Sequence, residues 1–248
     1  MKIACLIPAR YQSSRFPGKL LAYALGKTIL QRTIESALNA FKPEQLFIAT
    51  DDERIAEHVK TMGAQVIWTH SNHVNGTNRI AEAVLKTAAL DATEIIVNLQ
   101  GDHPCTQPDT LKSVIDILLS DPEAVLSTAA TPLQREEDFF SPHVVKAVVD
   151  RYNNALYFSR CPIPYYKGSL PPNALQHIGL YCFRKSFLLE CARADDGQLQ
   201  SIEDLEQLKA LEQGYRIKVA IVDEKAIGID TPEDLGRLVA HLGEIYVS

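Results

Sequence analysis

Between Pro8 and Lys19 the sequence reads Pro8-Ala9-Arg10-Tyr11-Gln12-Ser13-Ser14-Arg15-Phe16-Pro17-Gly18-Lys19, a run with three cations, two serine hydroxyls and a Pro-Gly turn. Guanidinium forks, a point-charge lysine and exposed turn N–H groups are the parts from which a triphosphate cradle is made. The run is not a Walker A loop: the first glycine is missing and Leu20 stands where a metal-touching Ser or Thr would be. It carries no dinucleotide fingerprint either. A solvated basic loop is the plain alternative at this point.

Two carboxylates could complete such chemistry. Asp102, in Gln100-Gly101-Asp102, directly follows the run Glu94–Leu99. At the carboxyl end of a strand it is placed to hold Mg²⁺, which takes one or two carboxylates together with phosphate oxygens. A turn aspartate bonding its own backbone is the competing reading. Asp230, in Ile229-Asp230-Thr231-Pro232-Glu233-Asp234, precedes a capped helix and could reach the same edge, as a second metal carboxylate or as a structural residue. Asn75-Gly76-Thr77-Asn78-Arg79 offers polar backbone at a helix entry, suited to a base edge or a phosphate, or simply to a turn. Further along stand Arg160, His177 and Tyr181, and the acids Glu203 and Glu206. His177 and Tyr181 are four residues apart, so on a strand they share a face.

Short apolar runs alternating with helical periodicity must position these residues. Ile3–Pro8, Leu46–Thr50, Gln65–Thr69 and Glu94–Leu99 read as strands. Between them helices are expected at Thr28–Phe41, from Asp51 to near Gly63, and at Arg79–Ala88. Thr28 with Gln31 has capping-box spacing. Alternating β and α units of this length argue for a parallel sheet covered on both faces, whose ligands bind beyond the carboxyl ends of the strands. The loop after the first strand lies there. After a helix at Asp109–Ser120 the texture changes. Val125–Ala130, Val144–Asp150, Ala155–Ser159 and His177–Arg184 are crowded strand candidates, with a Pro- and Gly-punctuated loop at 161–172. One helix is expected over Ser201–Gly214, capped by Ser201, followed by a strand at Arg216–Val222 and a last helix from Thr231. The chain thus reads as a single domain over residues 1–248, with an insertion, lid or dimerisation region at about 125–185.

Composition sets outer limits. At 46% hydrophobic and 23% charged the chain is an ordinary globular sequence. A net charge of -6 gives no global basic field, so nucleic acid is not expected as a partner. Five scattered cysteines form no C-x-x-C pair, which argues against a zinc knuckle or a disulfide framework. The apolar start meets Arg10 too soon for a signal peptide or a membrane span. A cytoplasmic protein without stable membrane association is expected.

Taken in order along nearly the whole chain, these segments resemble the 3-deoxy-manno-octulosonate (Kdo) cytidylyltransferases, or CMP-Kdo synthetases. The blocks are Ile7-Pro8-Ala9-Arg10 through Pro17-Gly18-Lys19, Ala49-Thr50-Asp51-Asp52, Asn75-Gly76-Thr77, Val97-Asn98-Leu99-Gln100-Gly101-Asp102, Ala155-Leu156-Tyr157-Phe158-Ser159-Arg160, His177-Ile178-Gly179-Leu180-Tyr181, Glu206-Gln207-Leu208 and Asp230-Thr231-Pro232-Glu233-Asp234. The resemblance implies an α/β, nucleotide-diphospho-sugar-transferase-like fold: a mostly parallel central sheet, helices on both faces and a smaller antiparallel or dimerisation insertion. It implies a homodimer that transfers CMP from CTP to Kdo with Mg²⁺, for lipopolysaccharide synthesis. Carried over by position, Ala9, Arg10, Ser14, Arg15 and Lys19 would hold the triphosphate. Asn75, Gly76, Thr77 and Arg79 would line the cytosine and ribose pocket. Gln100 would serve nucleotide and sugar, Arg160, His177, Tyr181, Glu203 and Glu206 the sugar acid, and Asp102 and Asp230 the metal. Lys19, Asp102 and Asp230 are then the catalytic set.

The chain departs from the family's usual pattern at Asn78 and His103, where glutamate is common, at Lys209, where arginine is, and at Gln200, where glutamate is common. Asn78 and His103 bear on nucleotide and metal, Gln200 and Lys209 on the sugar. An 8-amino-Kdo or sialate cytidylyltransferase and a non-catalytic nucleotide-binding relative are the alternatives.

Overall fold

In a computed structural model, residues 1–13, 15–224 and 227–247 are described, with the side chains of 244–247 outside the description. Ser14, expected in the triphosphate loop, lies outside the described residues. The fold divides into two compact units, Met1–Pro108 with Ile227–Ser248, and Asp109–Ala226.

The first unit is built on strands β1 (Ile3–Ala9), β4 (Leu46–Thr50), β5 (Gln65–Trp68) and β6 (Ile95–Leu99), with a short hairpin of β2 (Tyr23–Ala24) and β3 (Lys27–Thr28). β1 pairs in parallel with β4 and with β6, and β4 in parallel with β5. Every residue of β4 and β6 is buried. Since successive side chains point to opposite faces, both faces of this sheet are covered. The helices are α1 (Ile29–Leu38), α2 (Glu53–Lys60), α3 (Gly76–Lys86) and, returning from the chain's end, α9 (Pro232–Val247). Their starts follow from side-chain caps. Thr28 accepts from the Gln31 N–H at 3.0 Å, as its spacing suggests. Asp52 caps α2 through the Arg54 N–H at 3.0 Å. Asn75 accepts from the Asn78 N–H at 2.8 Å, which starts α3 at Gly76 rather than at Arg79. At α9, Thr231 and Asp234 bond each other's backbone N–H groups.

The second unit follows α4 (Pro108–Leu119). It holds β7 (Ala124–Pro132), α5 (Glu136–Phe140), β8 (Lys146–Val149), β9 (Ala155–Ser159), β10 (Leu175–Arg184), α6 (Lys185–Cys191), α7 (Gln198–Glu203), α8 (Leu208–Glu212) and β11 (Arg216–Ile221). β10 is antiparallel to β7 and β8, β8 to β9, and β11 joins β7 in parallel. The crowded strand candidates are thus an antiparallel array.

A helix in this unit also differs from its sequence reading. The single helix expected over Ser201–Gly214 is two, because Asp204 takes a left-handed conformation at φ 52°. Aspartate tolerates that region better than most residues. The break leaves the Glu203 carbonyl and carboxylate to bond Arg160 instead of continuing a helix. Ser201 is therefore inside α7, donating to the Gly197 carbonyl, and Ile202 points to solvent.

Candidate functional site

The first unit brings Lys19, Asp102 and Asp230 together. Asp102 leaves the end of β6 by way of Gly101, and Asp230 leads into α9. The two segments are tied by the Ile229 N–H, which donates to the Asp102 carbonyl at 3.1 Å. Lys19 reaches them from a short 3-10 turn, Lys19–Leu21, that follows Gly18 at φ 71°. A side chain at Gly18 would be strained there and would press to 3.0 Å of the Tyr11 hydroxyl. Lys19 Nζ donates to Asp102 Oδ2 at 2.5 Å, to the Ile229 carbonyl at 2.8 Å and to Asp230 Oδ1 at 3.0 Å. Arg15 pairs with the other oxygen, Asp230 Oδ2, at 3.0 Å.

The electrostatics follow from that crowd. Burial alone would lower the Lys19 ammonium, but Asp102 and Asp230 outweigh it and hold it above its ordinary value. For Asp230 burial pushes upward, while Lys19, Arg15 and His103 prevail and keep the carboxyl below its usual range. His103 Nε2 stands 3.9 Å from Asp102 Oδ1, and burial is the main cause of its lowered pKa. Lys19 therefore stays charged and Asp230 ionised across the neutral range.

Beside this cluster, Ala9 is buried at the end of β1 and Arg10 is exposed just beyond it. The start of α3 approaches the same strand end. A Cβ at Gly76 would meet Pro8 Cγ at 3.0 Å and Gln100 Oε1 at 3.1 Å, so any larger residue there would push these side chains aside. Gln100 donates to Asn98 Oδ1 at 3.3 Å, and Asn98 donates to Thr77 Oγ1 at 3.4 Å. Arg79 is turned inward at 3% exposure, held by Asp51 Oδ1 at 2.8 Å and Thr69 Oγ1 at 2.6 Å.

The second unit gathers the remaining candidates. Arg160 donates from Nε to the Glu203 carbonyl at 2.8 Å, from one terminal nitrogen to the Pro142 carbonyl at 3.1 Å, and from the other to the Asp204 carbonyl at 3.3 Å. The Glu203 carboxylate takes the Arg160 N–H at 2.9 Å and the Ser159 hydroxyl at 2.6 Å. His177 shares a 2.8 Å hydrogen bond with Thr128 Oγ1, and its ring lies 5.7 Å from that of Tyr181. The Tyr181 hydroxyl donates to Gln207 Oε1 at 3.0 Å, and burial pushes its pKa well up. Glu206 is half-buried beside Gln207.

Several participants carried no signal in the sequence reading. The Ile229 carbonyl is a backbone group, invisible to any residue pattern. Thr128 looks like an ordinary strand residue, and Asn98 entered only as part of the block around Asp102. Lys146, in the strand candidate Val144–Asp150, was not singled out either, although a lysine flanked by Val144-Val145 and Ala147-Val148 is an interruption in an apolar run. It is buried and donates to the carbonyls of Arg160 at 2.7 Å, Ser141 at 2.8 Å and Val144. Of the departures, Gln200 and Lys209 both turn to Asp196: Gln200 donates to Asp196 Oδ1 at 2.8 Å, and Lys209 Nζ lies 3.6 Å from the same oxygen. The Asn78 N–H is taken up by the cap of α3.

Comparison with known proteins gives a consistent picture. The profile of a family described as Cytidylyltransferase matches residues 4–219. A 3-deoxy-manno-octulosonate cytidylyltransferase of Protochlamydia amoebophila is 47% identical over 96% of this chain and 93% of its own. One from Syntrophotalea carbinolica is 45% identical over 98% of this chain and 99% of its own. Among solved structures, a CMP:2-keto-3-deoxy-manno-octonic acid synthetase complexed with CTP superposes with a TM-score of 0.90 at 33% identity, covering 98% of this chain and 99% of that one. The α/β fold expected from the sequence is shared with that protein. Among the described residues no helix is long and apolar enough to cross a membrane.

Proposed function

The chain belongs to the cytidylyltransferase family, among the 3-deoxy-manno-octulosonate cytidylyltransferases, and from that premise we propose that it transfers CMP from CTP to the anomeric hydroxyl of Kdo, releasing pyrophosphate. The observation that carries the reading is the convergence of Asp102, Asp230 and the Ile229 carbonyl on the ammonium of Lys19, at the end of the basic loop. In the reaction the anomeric oxygen attacks the α-phosphorus, the bond to pyrophosphate breaks, and the hydroxyl loses its proton. Anions must meet, so charge neutralisation and positioning are what a protein can contribute.

The residues fit a hard cation. The Lys19 ammonium already stands among three oxygens, the donor type Mg²⁺ prefers, and two of these are carboxylates. Asp102 and Asp230 would hold it, and it would supply neutralisation of phosphate charge and polarisation of the α-phosphate. Arg10, Arg15 and Lys19 supply the cations for the triphosphate, with Ser14 assigned by resemblance. Asn75, Gly76, Thr77 and Gln100 line the approach that the missing Cβ of Gly76 keeps open. Buried Arg79 sets the position of α3 through Asp51 and Thr69. Arg160 is the partner for the sugar carboxylate, where a planar fork suits better than a lysine, and His177, Tyr181, Glu203 and Glu206 frame the sugar.

Kdo is favoured over its 8-amino analogue or a sialate because the relatives at 47% and 45% identity are named for that sugar. The same reading carries Mg²⁺ dependence, a homodimer, a cytoplasmic location and supply of activated sugar to lipopolysaccharide. Light scattering tests the dimer. The reaction is tested by offering the purified protein CTP, Mg²⁺ and equimolar Kdo, 8-amino-Kdo and sialate, and weighing the products by mass spectrometry. CMP-Kdo as the dominant product supports the proposal; CMP-sialate or no nucleotide sugar contradicts it.

A further inference from the structure

The three N–H donors of the Lys19 ammonium are matched by three oxygens, at 2.5, 2.8 and 3.0 Å from Asp102, Ile229 and Asp230. These oxygens come from segments locked to one another by the bond from the Ile229 N–H to the Asp102 carbonyl. The second oxygen of Asp230 is taken by Arg15 at 3.0 Å. Two cations therefore balance two carboxylates, and the cluster offers a further cation no net negative charge. A divalent ion bonded to both carboxylates needs oxygens at about 2.0–2.1 Å if it is Mg²⁺, closer than they stand to the ammonium. Each of these oxygens keeps a second lone pair, but a metal bonded to both carboxylates would stand close beside the ammonium in a part-buried cluster, where two cations repel each other. Lysine is suited to leaving, being a point charge on a flexible four-carbon stem.

We propose that Lys19 fills the divalent-cation seat of the nucleotide-free protein and must vacate it before Asp102 and Asp230 can both serve a metal. The inference rests on the assignment of these two aspartates to the metal, and it goes further in making the lysine a gate on that site. Its consequence is ordered loading. Without a polyphosphate to receive the displaced ammonium, divalent ions bind weakly. A nucleotide triphosphate gives Lys19 new anionic partners, so metal and nucleotide each tighten the other's binding. The lysine is thereby delivered to the phosphates only when they arrive.

The test is Mn²⁺ binding to the nucleotide-free, full-length protein, read from the electron paramagnetic resonance signal of free Mn²⁺. Lys19→Met is expected to bind Mn²⁺ at least about tenfold more tightly than the unaltered protein. Lys19→Gln, which keeps a polar side chain, should shift in the same direction and guards against a folding defect in the first variant, which circular dichroism would reveal. Adding Asp102→Asn to either variant should abolish the gain. Equal or weaker binding in both lysine variants, with wild-type binding still sensitive to Asp102→Asn, overturns the seat occupied by Lys19 and leaves the metal assignment standing. Binding indifferent to Asp102→Asn in every background overturns the metal assignment itself, and the inference with it.

Discussion

Replacing Lys146 with methionine removes a charge that the fold has buried deliberately. The side chain is 0% exposed, and its ammonium donates to the carbonyls of Arg160 at 2.7 Å, Ser141 at 2.8 Å and Val144. Charge-assisted bonds of this kind contribute roughly 1.5–3 kcal/mol each, net of water. Two corrections reduce the sum. Ser141's carbonyl keeps a second donor, the Val144 N–H at 3.2 Å, so it is not orphaned. Burial also penalises the ammonium, whose pKa it pulls below the ordinary value, and methionine is free of that penalty. A net loss of about 3 kcal/mol is expected, read from urea unfolding as a lowered midpoint with an unchanged slope. The same change should loosen Arg160, since Lys146 holds its carbonyl while the Arg160 side chain holds Pro142. The KM for the sugar should therefore rise several-fold, with that for CTP nearly constant. A loss below about 0.5 kcal/mol, the range of an ordinary surface substitution, would refute the idea that this lysine fastens the segment.

Further outcomes are expected. Asp102→Asn and Asp230→Asn should each reduce turnover by at least about 100-fold while leaving a folded protein, because each removes a carboxylate from the cation site; full activity in both variants sinks the metal assignment. Arg160→Lys should raise the sugar KM by roughly tenfold and leave CTP binding near normal, the cost of exchanging a fork for a point charge. Glu82 offers a pH test. Burial would raise its carboxyl, but Lys86, His73 and the His70 N–H prevail and bring it to about 2. A depressed carboxyl contributes stability that is complete above its unfolded value of about 4.5 and is lost as pH falls toward about 2. Glu82→Gln should flatten the acid limb of the stability curve in that window, and an unchanged limb in urea titrations would contradict the pairing.

The parts of the fold legible in the sequence were those fixed by local rules. Thr28 and Gln31 announced the start of α1, and the alternation of short, mostly apolar strands such as β4 and β6 with helices announced a sheet covered on both faces. The break between α7 and α8 was not legible, because the apolar spacing of Leu205, Leu208 and Leu211 continues through it. The left-handed turn at Asp204 goes with a long-range contact, Glu203 with Ser159 and Arg160, which no local pattern encodes. The candidate site divides in the same way. Lys19, Asp102 and Asp230 were marked by their places at strand ends and a helix entry. The third oxygen around Lys19 is a main-chain carbonyl, and the inward turn of Arg79 depends on Asp51 and Thr69 in separate elements. Lys146 passed unmarked within its strand, and its role is set by the carbonyls it meets.

The central claim is tested most directly by pyrophosphate release from CTP and Mg²⁺ by the purified protein, with and without Kdo, against sialate and mannose-1-phosphate. The account predicts release that requires Kdo and disappears in Asp102→Asn. Release with sialate or mannose-1-phosphate in preference to Kdo, or none from a folded protein that still binds CTP, would contradict it.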